Sequence, residues 1–253
     1  MKIVKIPFSS GSLGKNNGCE KAPDLLVERL RKYELNEDGK SVIFEVSEVK
    51  TDKNNFDLTF ENIGNEEGDI FIGGDHSITY SCFKSMKGKN KGIMIFDAHP
   101  DLEVGTKTVD HESYLRSLIE EGSVKKENVV LIGVRNWSKN ELEFIQRNKI
   151  KCISMKKIIE NGIKETAEDA MEIALNFSDL YLSIDIDVLD PAFAPGTGYK
   201  EPGGLSMREL LFFLQRISKI RNLKRVDLVE INPEKDRDDV TLDCGTRIIS
   251  TFF

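Results

Sequence analysis

Histidine is scarce in this 253-residue chain: His76, His99 and His111 are the only three, against 43 Asp and Glu. Cysteine is sparse too. Cys19, Cys82, Cys152 and Cys244 are scattered without a CxxC pair, which argues against a disulfide scaffold or zinc knuckle and reads as reduced thiols of a cytoplasmic protein. No apolar run approaches the roughly 18 residues a membrane span needs. The opening MKIVKIPFSS lacks the long apolar core of a signal peptide. Positive charge is in deficit, 36 Lys+Arg giving a net −7, and this argues against a nucleic-acid or membrane-surface partner. With no repeat, low-complexity tract or linker, the length fits a single domain over 1–253.

Short β-rich apolar runs alternate with longer helical patterns, which predicts an α/β fold with a parallel sheet flanked by helices. Strands are expected at 2–7, 42–47, 69–73, 92–97, 128–134, 150–153, 180–185 and 225–231. Several are apolar at consecutive positions, as strands covered on both faces are. Ser138 with Glu141 and Ser206 with Glu209 fit capping boxes. Leu210, Leu214 and Ile217 then keep one helical face apolar. Pro23 suits the first turn of a helix carrying Leu26 and Leu30. The stretches 34–40, 51–69 and 232–240 read as surface loops.

The unusual residues fall at predicted strand ends. His76 follows the strand ending at Gly73, and Asp97, Asp185 and Glu230 end three others. Ligands of open α/β sheets bind beyond that edge. In IFDAHPDL, Asp97, His99 and Asp101 stand two apart, and Asp185 and Asp187 repeat the spacing. Extended backbone would turn each set to one side. Adjacent buried carboxylates repel unless a cation sits between them. A single Asp of this kind could equally cap or turn the chain after a strand, and His76 alone could be a satisfied buried histidine. The pool of four Asp and two His exceeds what one metal needs while keeping an open position. Two metals sharing carboxylates accommodate it, and an oxygen-rich, thiolate-free set favours Mn²⁺. Four carboxylates balance two divalent ions, so such a centre would welcome a cationic substrate.

At these residues the sequence resembles the ureohydrolase family of arginases and agmatinases. GGDHS (73–77), FDAHPDL (96–102) and SIDIDVLDPAFAPGTG (183–198) match its signatures, and GCEKAPDLL and VEINP its flanking elements. The resemblance implies a three-layer α/β/α fold around an eight-stranded parallel sheet, and two Mn²⁺ per chain. One ion would be held by His76, Asp97, Asp101 and Asp185, the other by Asp97, His99, Asp185 and Asp187. Asp101 would also orient a metal-bridging hydroxide that attacks the guanidinium carbon to release urea and an amine. Glu230 would hydrogen-bond the guanidinium, as a carboxylate can, or be a solvated strand-end side chain. His111 would protonate the leaving amine, a task its pKa suits, or be a surface histidine at a helix start. The residue after it is Glu112, where the resemblance implies glycine.

Glu103 stands where arginases carry an asparagine that helps hold the α-carboxylate, and it would repel that group and attract an ammonium. The arginase Ser-Gly-Asn loop is absent from EVGTKTVDHES, and Ser138 replaces an arginase aspartate. Agmatine, cleaved to putrescine as in polyamine biosynthesis, is therefore the expected small cationic substrate. Glu103 could instead pair with Lys107 at the surface. Trp137 could line the site mouth, though packing at the sheet edge is the reading its type favours. Guanidinobutyrate, formiminoglutamate and arginine are alternative substrates. A one-zinc hydrolase of the related deacetylase fold and a non-catalytic family member are rival readings. The resemblance also implies a homo-oligomer, trimer or hexamer.

Overall fold

A computed structural model describes residues 1–105 and 107–253; Thr106, inside the 103–113 segment compared above, lies outside the described residues. Eight strands form where the apolar runs predict them: β1 (Lys2–Ile6), β2 (Glu45–Glu48), β3 (Ile70–Gly73), β4 (Lys91–Phe96), β5 (Val129–Ile132), β6 (Lys151–Ile153), β7 (Asp179–Asp185) and β8 (Leu223–Val229). They make one sheet in the order β2-β1-β3-β8-β7-β4-β5-β6, and every pairing is parallel. β2 differs most from expectation. Residues 42–44 stay outside it, because the register with β1 begins at Lys2 opposite Glu45.

Helices cover both faces, as a parallel sheet requires. On one side lie α1 (Ala22–Leu30), α6 (Met155–Asn161), α7 (Ile163–Leu175), α8 (Met207–Ile217) and α9 (Val240–Ser250). On the other lie α2 (Phe56–Gly64), α3 (Ile78–Lys84), α4 (Tyr114–Glu120) and α5 (Lys139–Asn148). The predicted capping boxes open α5 and α8, and Pro23 sits in the first turn of α1. On α8, Leu210, Leu214 and Ile217 are buried, and Phe213 meets Phe96 of β4 edge-on at 5.4 Å. Each such buried side chain contributes about 1.5–3 kcal/mol.

The stretch 51–69 is not a loop throughout. Phe56, Phe60 and Ile63 recur at helical spacing, and Asn55 caps α2 by accepting from the Leu58 amide. Among the described residues no helix is long and apolar enough to cross a membrane, and the four cysteines are unpaired.

Candidate metal centre and substrate cleft

The four neighbouring central strands β3, β8, β7 and β4 release four site segments from their carboxyl ends: Asp75-His76, Glu230, Asp185–Asp187 and Asp97–Asp101. Three of these segments curl by the same device. The first aspartate accepts, through Oδ1, the amide of the residue two further on: Ser77 to Asp75 at 3.0 Å, His99 to Asp97 at 2.6 Å, Asp187 to Asp185 at 2.8 Å. These Asx turns spend one carboxylate oxygen on backbone and leave Oδ2 free. The turn-forming role of these residues thus coexists with the site.

The extended-backbone expectation for Asp97–Asp101 and Asp185–Asp187 is corrected here. Asp97 follows the end of β4, Asp101 has a left-handed φ of 52°, and Asp187 lies in a 3₁₀ turn. Turns make the side chains converge, not alternation along a strand. Neither Gly73 nor Gly74 has a positive φ; what their missing side chains permit is close approach. A Cβ on Gly74 would lie 1.8 Å from the Phe8 carbonyl oxygen.

Nδ1 of the buried His76 lies 3.1 Å from Asp97 Oδ2, 3.0 Å from Asp101 Oδ2 and 3.3 Å from Asp185 Oδ2. Yet among the described residues His76 Nδ1 and Asp97 Oδ2 are buried without a hydrogen-bond partner. Ligand atoms around one octahedral cation stand about 3 Å apart in this way. A second group forms from Asp97, His99 and Asp187, with His99 Nδ1 3.1 Å from Asp187 Oδ2 and 3.5 Å from Asp97 Oδ1. Asp97 belongs to both groups. All six predicted ligands are thus gathered, and their donor chemistry fits two hard divalent ions.

Electrostatics state the same need. Burial and the Asp97 charge push Asp101 up to about 8, and burial with neighbouring Asp187 and Asp97 raises Asp185 far above the carboxylate range. Asp187 is raised by burial and Asp97. Asp97 moves down because His76 and His99 outweigh its burial. Carboxylates packed this closely stay ionised together only with added positive charge.

Glu230 borders this cluster at a left-handed φ of 65°. It is buried, which excludes the solvated reading. Its Oε1 accepts the His76 amide at 2.8 Å and faces His111 Nδ1 at 3.1 Å, while Oε2 accepts from Asn16 Nδ2 at 2.6 Å. These donors outweigh burial and lower its pKa. His111 is likewise buried, not a surface histidine. Burial alone would lower its pKa, but Glu230 outweighs it and lifts the imidazole to about 9. An ionised Glu230 only accepts, so Nδ1 carries a proton; among the described residues Nε2 has no hydrogen-bond partner.

Glu112 fits the chain without the glycine. Its carboxylate accepts from Tyr199 Oη at 2.8 Å, and the Tyr199 ring stacks on His111 at 5.9 Å and 17°. The Glu103 amide donates to the Glu112 carbonyl at 3.0 Å, so both carboxylates border one cleft. Among the described residues no ion pair joins Glu103 to Lys107. Ser138 lines the cleft and caps α5. Trp137, 38% exposed, lines the cleft mouth, which corrects the packing expectation. Asn16 and Tyr199 were not foreseen. Asn16 sits in the polar run GKNNG, whose only signal was its high asparagine and glycine content.

Residues 1–253 match the family model described as Arginase family. An arginase of Staphylococcus aureus (strain MRSA252) is 33% identical over 241 residues, 88% of this chain and 79% of the relative. A guanidinopropionase of Pseudomonas aeruginosa is 33% identical over 191 residues, 71% of this chain and 58% of that one. The crystal structure of formimidoylglutamase from Bacillus subtilis superposes with a TM-score of 0.92 at 21% identity, covering 99% of this chain and 85% of the other. Whole-chain sequence likeness and a shared eight-stranded fold together make this chain a member of the arginase family.

Proposed function

We propose that the chain is a binuclear manganese ureohydrolase that cleaves agmatine to putrescine and urea. The observation that carries the substrate is the lining of the cleft. Among the described residues it holds seven carboxylates, two histidines and no lysine or arginine. A ligand carboxylate finds no cationic partner there, whereas a guanidinium at one end and an ammonium at the other find acceptors.

His76, Asp97, Asp101 and Asp185 would hold one ion, and Asp97, His99, Asp185 and Asp187 the other. Two divalent ions held there would lower the pKa of water and so would supply hydroxide at neutral pH. The protein's own groups do the rest. Glu230, fixed by His76, His111 and Asn16, accepts guanidinium N–H bonds and orients the central carbon. His111 keeps its Nδ1 proton on Glu230 and delivers the Nε2 proton to the departing amine. Glu103 and Glu112, on the rim, receive the distal ammonium. Trp137 and Tyr199 wall the cleft against water.

L-arginine is the second reading, favoured by the relatives named arginase. A manganese-loaded substrate panel scored for urea or formamide tests both. Agmatine is expected to exceed arginine, guanidinobutyrate, guanidinopropionate and formiminoglutamate by at least tenfold in kcat/KM. Preference for a carboxylate-bearing substrate would overturn the agmatine assignment, and no product from any of them would overturn the enzyme reading.

A further inference from the structure

Asp227 is a buried carboxylate that the proposed chemistry leaves unused. It lies on β8, three residues before Glu230, with no exposed surface. Three hydroxyls converge on it: Thr79 Oγ1 at 2.6 Å and Tyr181 Oη at 2.6 Å to Oδ2, and Ser183 Oγ at 2.7 Å to Oδ1. Ser183 is the branch point, because its Oγ is also 2.8 Å from His76 Nε2. A serine hydroxyl has one proton to donate. With that proton on Asp227, Ser183 can only accept from His76. The imidazole then carries its proton on Nε2 and presents the Nδ1 lone pair, the atom that faces Asp97, Asp101 and Asp185. Tyr114 Oη, 3.0 Å from the same Nε2, closes the remaining side.

We infer that Asp227, acting through Ser183, is a positioning residue that selects the Nε2–H tautomer of His76 and so sets cation affinity at the His76 position. This rests on the reading of His76 as a metal ligand. Hydroxyls alone cannot impose a direction on the chain of bonds, since each can donate or accept. Ser183 needs an acceptor behind it, and Asp227 Oδ1 is that acceptor. Without it the Ser183 hydroxyl is free to turn and donate to Nε2, which moves the imidazole proton to Nδ1, where a cation must displace it. Partners behind metal-ligating histidines typically change metal affinity 10–100-fold.

The test is Mn²⁺ uptake by the full chain, followed by the loss of the free-ion electron paramagnetic resonance signal, with no activity assay. Wild type is expected to bind two ions. Asp227→Asn, whose amide can donate to Ser183 and reverse the chain of bonds, is expected to bind one of them about 10–100-fold more weakly and the other unchanged. Ser183→Ala should weaken the same ion, and it decides the matter should Asp227→Asn fail to fold. Thr79→Val and Tyr181→Phe remove the other donors to Asp227 but keep the Ser183 link, and should stay within threefold. In the Zn²⁺-loaded, ¹⁵N-histidine-labelled protein, His76 should show an Nε2–H proton slow to exchange, shifted upfield in Asp227→Asn. With three histidines the spectrum is simple to assign. Wild type binding fewer than two ions would overturn the metal-centre reading and this inference with it. Two-ion uptake by wild type, with Asp227→Asn and Ser183→Ala unchanged, would overturn the inference alone.

Discussion

Asn16 reaches across 214 residues of chain to Glu230, donating to its Oε2 at 2.6 Å and to its backbone carbonyl at 3.0 Å. One side chain thereby fixes both the carboxylate and the left-handed backbone that aims it. Asn16→Ala is expected to raise KM about tenfold with a smaller change in kcat. It should also cost about 1–3 kcal/mol of stability, because a buried carboxylate oxygen loses its partner. Steady-state kinetics and urea denaturation read the two effects separately.

Asp187 accepts the Ala98 amide through Oδ1 and faces His99 through Oδ2. Asp187→Ala should leave a folded protein that retains one Mn²⁺ of two and releases urea at least about 100-fold more slowly, a direct ligand mattering more than an outer-shell partner. Metal analysis after gel filtration checks the stoichiometry. Two ions retained at wild-type affinity would remove Asp187 from the ligand set.

The pH profile follows from His111. Its pKa is raised in the fold to about 9 by Glu230, so the pairing is fully present below the unfolded value of about 6.5 and is lost as pH rises through about 9. Leaving-group protonation needs the imidazolium, so kcat should hold to near pH 9 and then fall. In His111→Asn the rate should drop about 10²–10⁴-fold and the alkaline limb should vanish. An unchanged limb would assign it to another group.

Glu103 is half-buried on the cleft rim. Neutralising it removes attraction for an ammonium worth up to about 1 kcal/mol. Glu103→Gln should therefore raise KM for agmatine up to about fivefold, lessening with added salt, and leave kcat alone. Unchanged affinity would mean that Glu103 takes no part in selecting the substrate.

Gly74 gives a stability prediction independent of chemistry. Phe8 cannot retreat from a Cβ there without breaking the Asp75 amide bond to its carbonyl, 2.9 Å. Gly74→Ala should cost about 2–3 kcal/mol, visible as a lowered urea midpoint.

The interior strands β3, β4, β5 and β7 were legible because they are buried on both faces and so read as largely unbroken apolar runs. The candidate ligands were legible because their chemistry is concentrated in short motifs. α2 was missed although Phe56, Phe60 and Ile63 mark one face, since polar residues around them hid a three-residue stripe. The convergence of Asp97 with Asp101 was expected for the wrong reason. A two-residue spacing is compatible with a strand or an Asx turn, and the two are distinguished by the His99 amide bond to Asp97 and the φ of Asp101. Asn16 carried only the compositional signal of GKNNG, and its role could not be read because its partner lies 214 residues away. Trp137 was misjudged because a lone indole carries no sign of whether it faces core or cleft.

Asp101 and Glu230 hold left-handed backbone without being glycine, a conformation that costs an L-residue on the order of 1–2 kcal/mol. Glycine at either position would relieve the strain while deleting the carboxylate. At Glu230 the loss outweighs that relief, because the His76 amide, Asn16 Nδ2 and His111 Nδ1 would be left without their buried acceptor. A search for thermostable variants of this chain, made without selection for turnover, should therefore gather substitutions at Asp101 and leave Glu230 in place. The fold tolerates a conformational penalty where its acidic side chains must point inward, and at Asp101 stability is gained by giving up a candidate ligand.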